Sequence, residues 1–216
     1  MGRDGERAGR VSRALTGAGL RRAALALAAR DEDLGRVLER LGPPPMWERE
    51  PGFPTLVLII LEQQVSLASA RAAYTRLTRL AAPLTPRAFL ALDDRELRAA
   101  GFSRQKTAYC RHLAALIEAG GLDVEGLTRL GDEEARAELL KVKGVGPWTA
   151  DIYLLMALRR PDVWPSGDLA LAAAAHEVKR LPSRPTYVEL DALAEGWRPY
   201  RAVAARLLWH HYLNRG

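Results

Sequence analysis

Residues 141–152 read KVKGVGPWTADI, and the turn inside them sets the strongest limit on what this chain can fold into. The preceding EEARAELLKV has helical spacing, and Pro147 suits the first turn of a following helix because it lacks a backbone donor. The unit therefore reads as helix, tight turn, helix. Gly144 and Gly146 can adopt conformations costly for other residues and leave backbone uncovered by side chains. N–H groups at the start of the second helix then point outward, where the helix dipole favours an anion. Lys141 and Lys143 add charge nearby, so a phosphate would suit the position. A plain corner, with glycines serving geometry alone, explains an isolated Gly-x-Gly equally well.

Ala, Leu and Arg dominate the chain, and few stretches show strand-like alternation, which predicts an all-α fold. At 216 residues and 48% hydrophobic content, it can bury a sizeable core as one domain or two packed lobes. Spacing predicts helices near 18–29, 31–42, 55–80, 86–91, 94–100, 104–119, 132–142, 147–159, 168–179, 187–195 and 199–213. Residues 1–17 are polar and rich in Gly and Arg, and are expected to be disordered.

The net charge of +6 suits a polyanionic partner, although an arginine-rich composition from a GC-rich genome accounts for it as well. One cysteine, Cys110, excludes an internal disulfide, a four-cysteine zinc site and an iron–sulfur cluster. The four histidines show no metal-ligand spacing, so no metal site is expected. The longest apolar run, LVLIIL, is far too short to span a membrane, and the start lacks an apolar signal core. A soluble cytoplasmic protein is expected.

Four motifs in order carry a resemblance. LEQQVSLASA (61–70), GFSRQKTAYCRHLA (101–114), the Gly-Val-Gly-Pro turn and VWPSGDLAL (163–171) are similar to the helix–hairpin–helix DNA glycosylase (HhH-GPD) superfamily. Within it the pattern resembles 3-methyladenine DNA glycosylase II (AlkA-type), in a form without the N-terminal β-rich domain. The resemblance implies a compact two-lobed helical bundle with an active-site cleft between the lobes. The lobes would be roughly 55–160, and 31–54 plus 161–216, behind a basic segment at 1–30 that includes the helix at 18–29. Trp148 stands where bifunctional glycosylase/lyases carry a Schiff-base lysine, which implies a monofunctional enzyme.

The implied chemistry is extrusion of a damaged nucleotide from double-stranded DNA and hydrolysis of its N-glycosidic bond. Asp168 is the implied catalytic carboxylate. An aspartate before a helix is also a common N-cap, and the two roles are compatible. Alkylated purines such as 3-methyladenine and 7-methylguanine are cationic, and aromatic faces attract cations. Trp148 and Trp209 are the implied pocket residues, each also readable as a core anchor, with Tyr200 and Trp164 weaker candidates for the same pocket. DNA contacts fall to Gln63, Gln64, Ser103, Lys106, Lys143, Gly144, Val145, Gly146 and Thr149, with Gln64 as the wedge that enters the vacated space; a helix kink or helix–helix hydrogen bonding also explains the glutamines, and a cap and solvated charge explain Ser103 and Lys106 nearly as well. Glu62 departs from the family's usual glycine. The superfamily also admits a monovalent cation on hairpin carbonyls, and no other cofactor is implied. A monomer acting at the nucleoid of a prokaryotic cell is the simplest expectation. Excision of deaminated or other damaged bases, or DNA binding without catalysis, are the competing readings.

Overall fold

Apolar residues recur at helical spacing along nearly the whole chain, and every regular element among the described residues is a helix. The computed structural model describes residues 13–215. Its first helices are α1 (Gly17–Ala28), α2 (Glu32–Leu41), α3 (Phe53–Glu62), α4 (Leu67–Leu80), α5 (Pro86–Ala91) and α6 (Asp94–Ala100). Then come α7 (Arg104–Glu118), a 3-10 turn (Gly126–Arg129), α8 (Asp132–Leu140), α9 (Pro147–Met156), α10 (Leu169–Val178), α11 (Tyr187–Glu195) and α12 (Arg201–Leu213). The disordered start expected from the sequence lies outside the described residues as far as residue 12. Most starts carry a side-chain cap: Thr16, Asp31, Ser66, Thr85, Asp93, Ser103, Asp168 and Thr186 each accept a hydrogen bond from a first-turn N–H.

The chain forms two compact units, one of residues 49–153 and the other of residues 13–48 with 154–215. In the first, α3 is apolar on almost every side and runs through the core, packed by α4 and α7. Phe53, Phe89 and Phe102 form an aromatic row with centroids 6.0 and 5.8 Å apart. Cys110 lies fully buried in α7, and burial pushes its thiol far above the usual range. In the second unit α12 is the axis, with every residue from Ala202 to Trp209 buried. Alanines at 172–175 on α10 and at 202, 204 and 205 on α12 are all buried, and such small side chains let the two helices approach closely. The helix α1 packs on α2 and α12 and so belongs to this unit.

The single helix expected at 55–80 is broken. The backbone leaves the helix at Gln63, Gln64 takes a left-handed φ of 57°, and Ser66 caps a new helix by accepting from Ser69 N–H. Apolar spacing continues across this corner, which is why periodicity does not reveal it.

The expected hairpin forms from α8, a turn at 141–146 and α9, and side chains lock it. Arg136 on α8 donates its Nε to Asp151 Oδ1 on α9 at 2.7 Å. Gln63 Nε2 donates to both Gly144 O and Thr149 Oγ1, each at 2.9 Å. His112 Nδ1 accepts the Lys143 N–H at 3.1 Å, and the Val145 N–H returns to Val142 O at 3.0 Å. The two glycines serve different ends. Gly144 has a φ of 88°, and a Cβ there would lie 2.2 Å from the Tyr109 ring. A Cβ on Gly146 would meet nothing within 4 Å.

Thermal melting separates these roles. Gly144→Ala should cost about 3 kcal/mol, from left-handed strain plus overpacking. Gly146→Ala should stay within about 0.5 kcal/mol of the parent. Equal losses would contradict the division of labour.

Candidate active site

The loop 163–167 exists to deliver Asp168. Trp164 and Pro165 are buried, Gly167 takes a left-handed φ of 80°, and Asp168 N–H donates to Pro165 O at 3.3 Å. A residue that the sequence does not flag holds this loop from below. Asp191 on α11 accepts from Trp164 Nε1 at 2.9 Å and from Ser166 Oγ at 2.6 Å. Asp168 then caps α10, its Oδ1 accepting Leu171 N–H at 2.9 Å. The same oxygen accepts the indole Nε1 of Trp209 at 3.4 Å. The cap and the oriented carboxylate are one residue, as the sequence allows.

Trp209 is 8% exposed and presents its N–H to Asp168 from α12. Edge-on to it stands Trp47, with centroids 6.5 Å apart and planes at 76°. Trp47 also meets His210 at 6.3 Å and 81°. Of the weaker candidates, Trp164 is spent on packing, being bonded to Asp191 and stacked at a tilt on Trp197. Tyr200 stands before α12, with its backbone amide donating to Trp197 O, and its contacts do not join it to Asp168. Trp148 is half-buried at the start of α9 in the other unit. A hollow of about 240 Å³, lined by Arg36, Arg40, Glu177 and His211 among others, shares no residue with the Asp168–Trp209 pair.

The residues read as DNA contacts divide into outward and inward groups. Gln64, Lys143 and Gly146 are exposed, as is Ser103, which caps α7 by accepting Lys106 N–H. Four others make contacts within the fold. Lys106 Nζ donates to Leu61 O near the C-terminal end of α3, where the dipole favours a cation, and burial lowers its pKa. Gln63 and Thr149 bond to each other and hold the hairpin. Val145 is buried and its N–H is spent inside the turn. Glu62, the acidic departure, is gripped by Arg49 through two bonds of 2.8 and 2.9 Å, so its charge is offset within the same unit.

Over 124 residues the chain is 32% identical to a putative DNA-3-methyladenine glycosylase, YfjP, of Bacillus subtilis, covering 57% of this chain and 43% of that one. It is similar to the Schizosaccharomyces pombe 3-methyladenine DNA glycosylase solved with abasic DNA, with a TM-score of 0.77, 28% identity and coverage of 87% and 95% of the two chains. A DNA-3-methyladenine glycosidase from Bacillus halodurans gives a TM-score of 0.77 at 30% identity, covering 89% of each chain. The model for the HhH-GPD superfamily of base excision DNA repair proteins matches residues 57–199, which include the hairpin, Asp168 and the Asp191 anchor. With that span matched, the chain belongs to the HhH-GPD superfamily of base excision DNA repair proteins.

Proposed function

We propose that the protein is a monofunctional DNA glycosylase that releases cationic alkylated purines of the 3-methyladenine and 7-methylguanine type. The observation that carries this reading is the Asp168 carboxylate, oriented by Leu171 N–H and Trp209 Nε1 beside an aromatic surface. An extruded nucleotide would bring its anomeric carbon to that carboxylate. As the C1′–N9 bond breaks, N9 keeps the electron pair, the cationic base departs neutral, and positive charge develops on the sugar. Asp168 stabilises that charge, water adds to C1′, and its proton passes to the carboxylate or to solvent. Trp148 offers no amine for a Schiff base, so the strand would be left intact at an abasic site.

Double-stranded DNA is the proposed partner, bound by a monomer in the cytoplasm. Gly146 and Lys143 would meet one phosphate at the start of α9, and the exposed left-handed Gln64 would fill the space the nucleotide leaves. A monovalent cation on the turn's carbonyls fits only in part, because Val142 O and Gly144 O each already accept one hydrogen bond. When bound, it would add positive charge facing the phosphate. Among the described residues no helix is long and apolar enough to cross a membrane.

Two experiments test this. Wild type should free methylpurines from methylated duplex, measured chromatographically, and leave breaks only after alkali treatment. Asp168→Asn, which preserves the cap, should bind DNA and melt normally yet lose about a hundredfold or more in release rate. Undiminished release would return Asp168 to a purely structural role. The second reads the salt dependence of DNA affinity. Lys143→Ala should lower the magnitude of the log–log slope by about 0.9, the signature of one lost phosphate contact. Lys106→Ala should leave the slope unchanged and lower the melting temperature instead.

A further inference from the structure

We propose that Trp47 is a second aromatic wall for the extruded base, set beside Trp209 and held in position by the buried arginine Arg206. The inference rests on the glycosylase reading and assigns a specificity-determining residue that the four motifs do not contain.

Trp47 lies in GPPPMWEREPG, a connection that no helical spacing organises. Its φ is 45°, a left-handed backbone that costs a bulky residue about 1–3 kcal/mol and persists only where surroundings impose it. The ring stays half-exposed, so the strain is not repaid by full burial. Its indole stands nearly perpendicular to that of Trp209, and the two make a corner. One side of that corner is tied to the Asp168 carboxylate through Trp209 Nε1. A flat cationic base seated there would meet aromatic surface on two sides. Behind Trp47 stands His210, whose Nδ1 is buried without a hydrogen-bond partner and whose pKa burial lowers. The ring is therefore neutral at neutral pH and adds no charge that would repel a cation.

Arg206 supplies the constraint. It is fully buried in α12, and its hydrogen-bond partners are backbone carbonyls rather than a carboxylate. Nε donates to Met46 O at 2.9 Å, one residue before Trp47. The Nη atoms reach Leu155 O at 2.9 Å and Ala202 O at 3.3 Å. Burying a guanidinium is costly, and an aliphatic residue would fill the same space at less expense. The fork does what an aliphatic chain cannot: it fixes the carbonyl on which the conformation of Trp47 turns.

The test compares wild type, Trp47→Phe and Trp47→Leu by single-turnover release of 7-methylguanine from duplex DNA. The control is affinity for a duplex holding an abasic site, which has no base to touch the wall. Trp47→Leu should release about tenfold more slowly, with Trp47→Phe between it and wild type, while abasic-site affinity and melting temperature hold. Arg206→Lys should slow release similarly, and combining it with Trp47→Leu should add little. Release by Trp47→Leu at the wild-type rate, or an equal loss of abasic-site affinity, would overturn the assignment. Additive losses in the double variant would overturn the part given to Arg206. If wild type releases no methylpurine, the glycosylase reading itself falls, and this inference with it.

Discussion

Arg206 carries a guanidinium into a helix that is buried from Ala202 to Trp209, and the second unit is arranged around satisfying it. Burial pushes the group down to about 10, so it stays charged at neutral pH and must be answered by hydrogen bonds. The answers come from three stretches of chain: the proline-rich connection, the end of α9 and α12 itself. One side chain thereby joins segments far apart in sequence, one turn before Trp209 on the same helix. The loop on the other side of the carboxylate is set by a second polar device, Asp191. The geometry around the Asp168 carboxylate is thus maintained by buried polar groups with defined directions, whereas the helices of this unit pack through alanine-lined faces.

The first unit follows a different logic. Its apolar core is α3, and the elements that would approach DNA are the corners just outside that core. The α3–α4 corner and the hairpin turn are joined by the two hydrogen bonds of Gln63. Lys106 closes the same region by donating to Leu61 O near the end of α3. The exposed Gln64 and Gly146 therefore project from frames that neighbouring residues have already immobilised, and little backbone freedom would remain to be lost on binding.

Helix positions were largely legible because apolar spacing and N-cap residues act locally. Asp168 was legible as the cap of α10, because an aspartate before a helical pattern is a local signal. The break at Gln64 was legible only as the alternative reading of the two glutamines as a kink, since the same apolar face continues through both helices. Lys106 reads as a phosphate contact or a solvated charge because nothing local shows that Leu61, forty-five residues earlier, offers it a carbonyl. Trp47 and Asp191 escaped for the same reason: each acts on a partner brought near by the fold, and neither sits in a pattern with a period. Glu62 reads in the sequence as an acidic departure from the family's glycine, and only the fold brings Arg49 against it.

The burial of Cys110 has a chemical consequence for a protein proposed to work where bases are being methylated. Electrophiles that attack purine nitrogens attack thiolates as well, and the thiolate is the reactive form. The chain's single thiol is closed off from solvent and held protonated within α7. The protein therefore presents no thiolate to the agents that create its proposed substrate, and its working lifetime under such exposure is not limited by damage to its own cysteine.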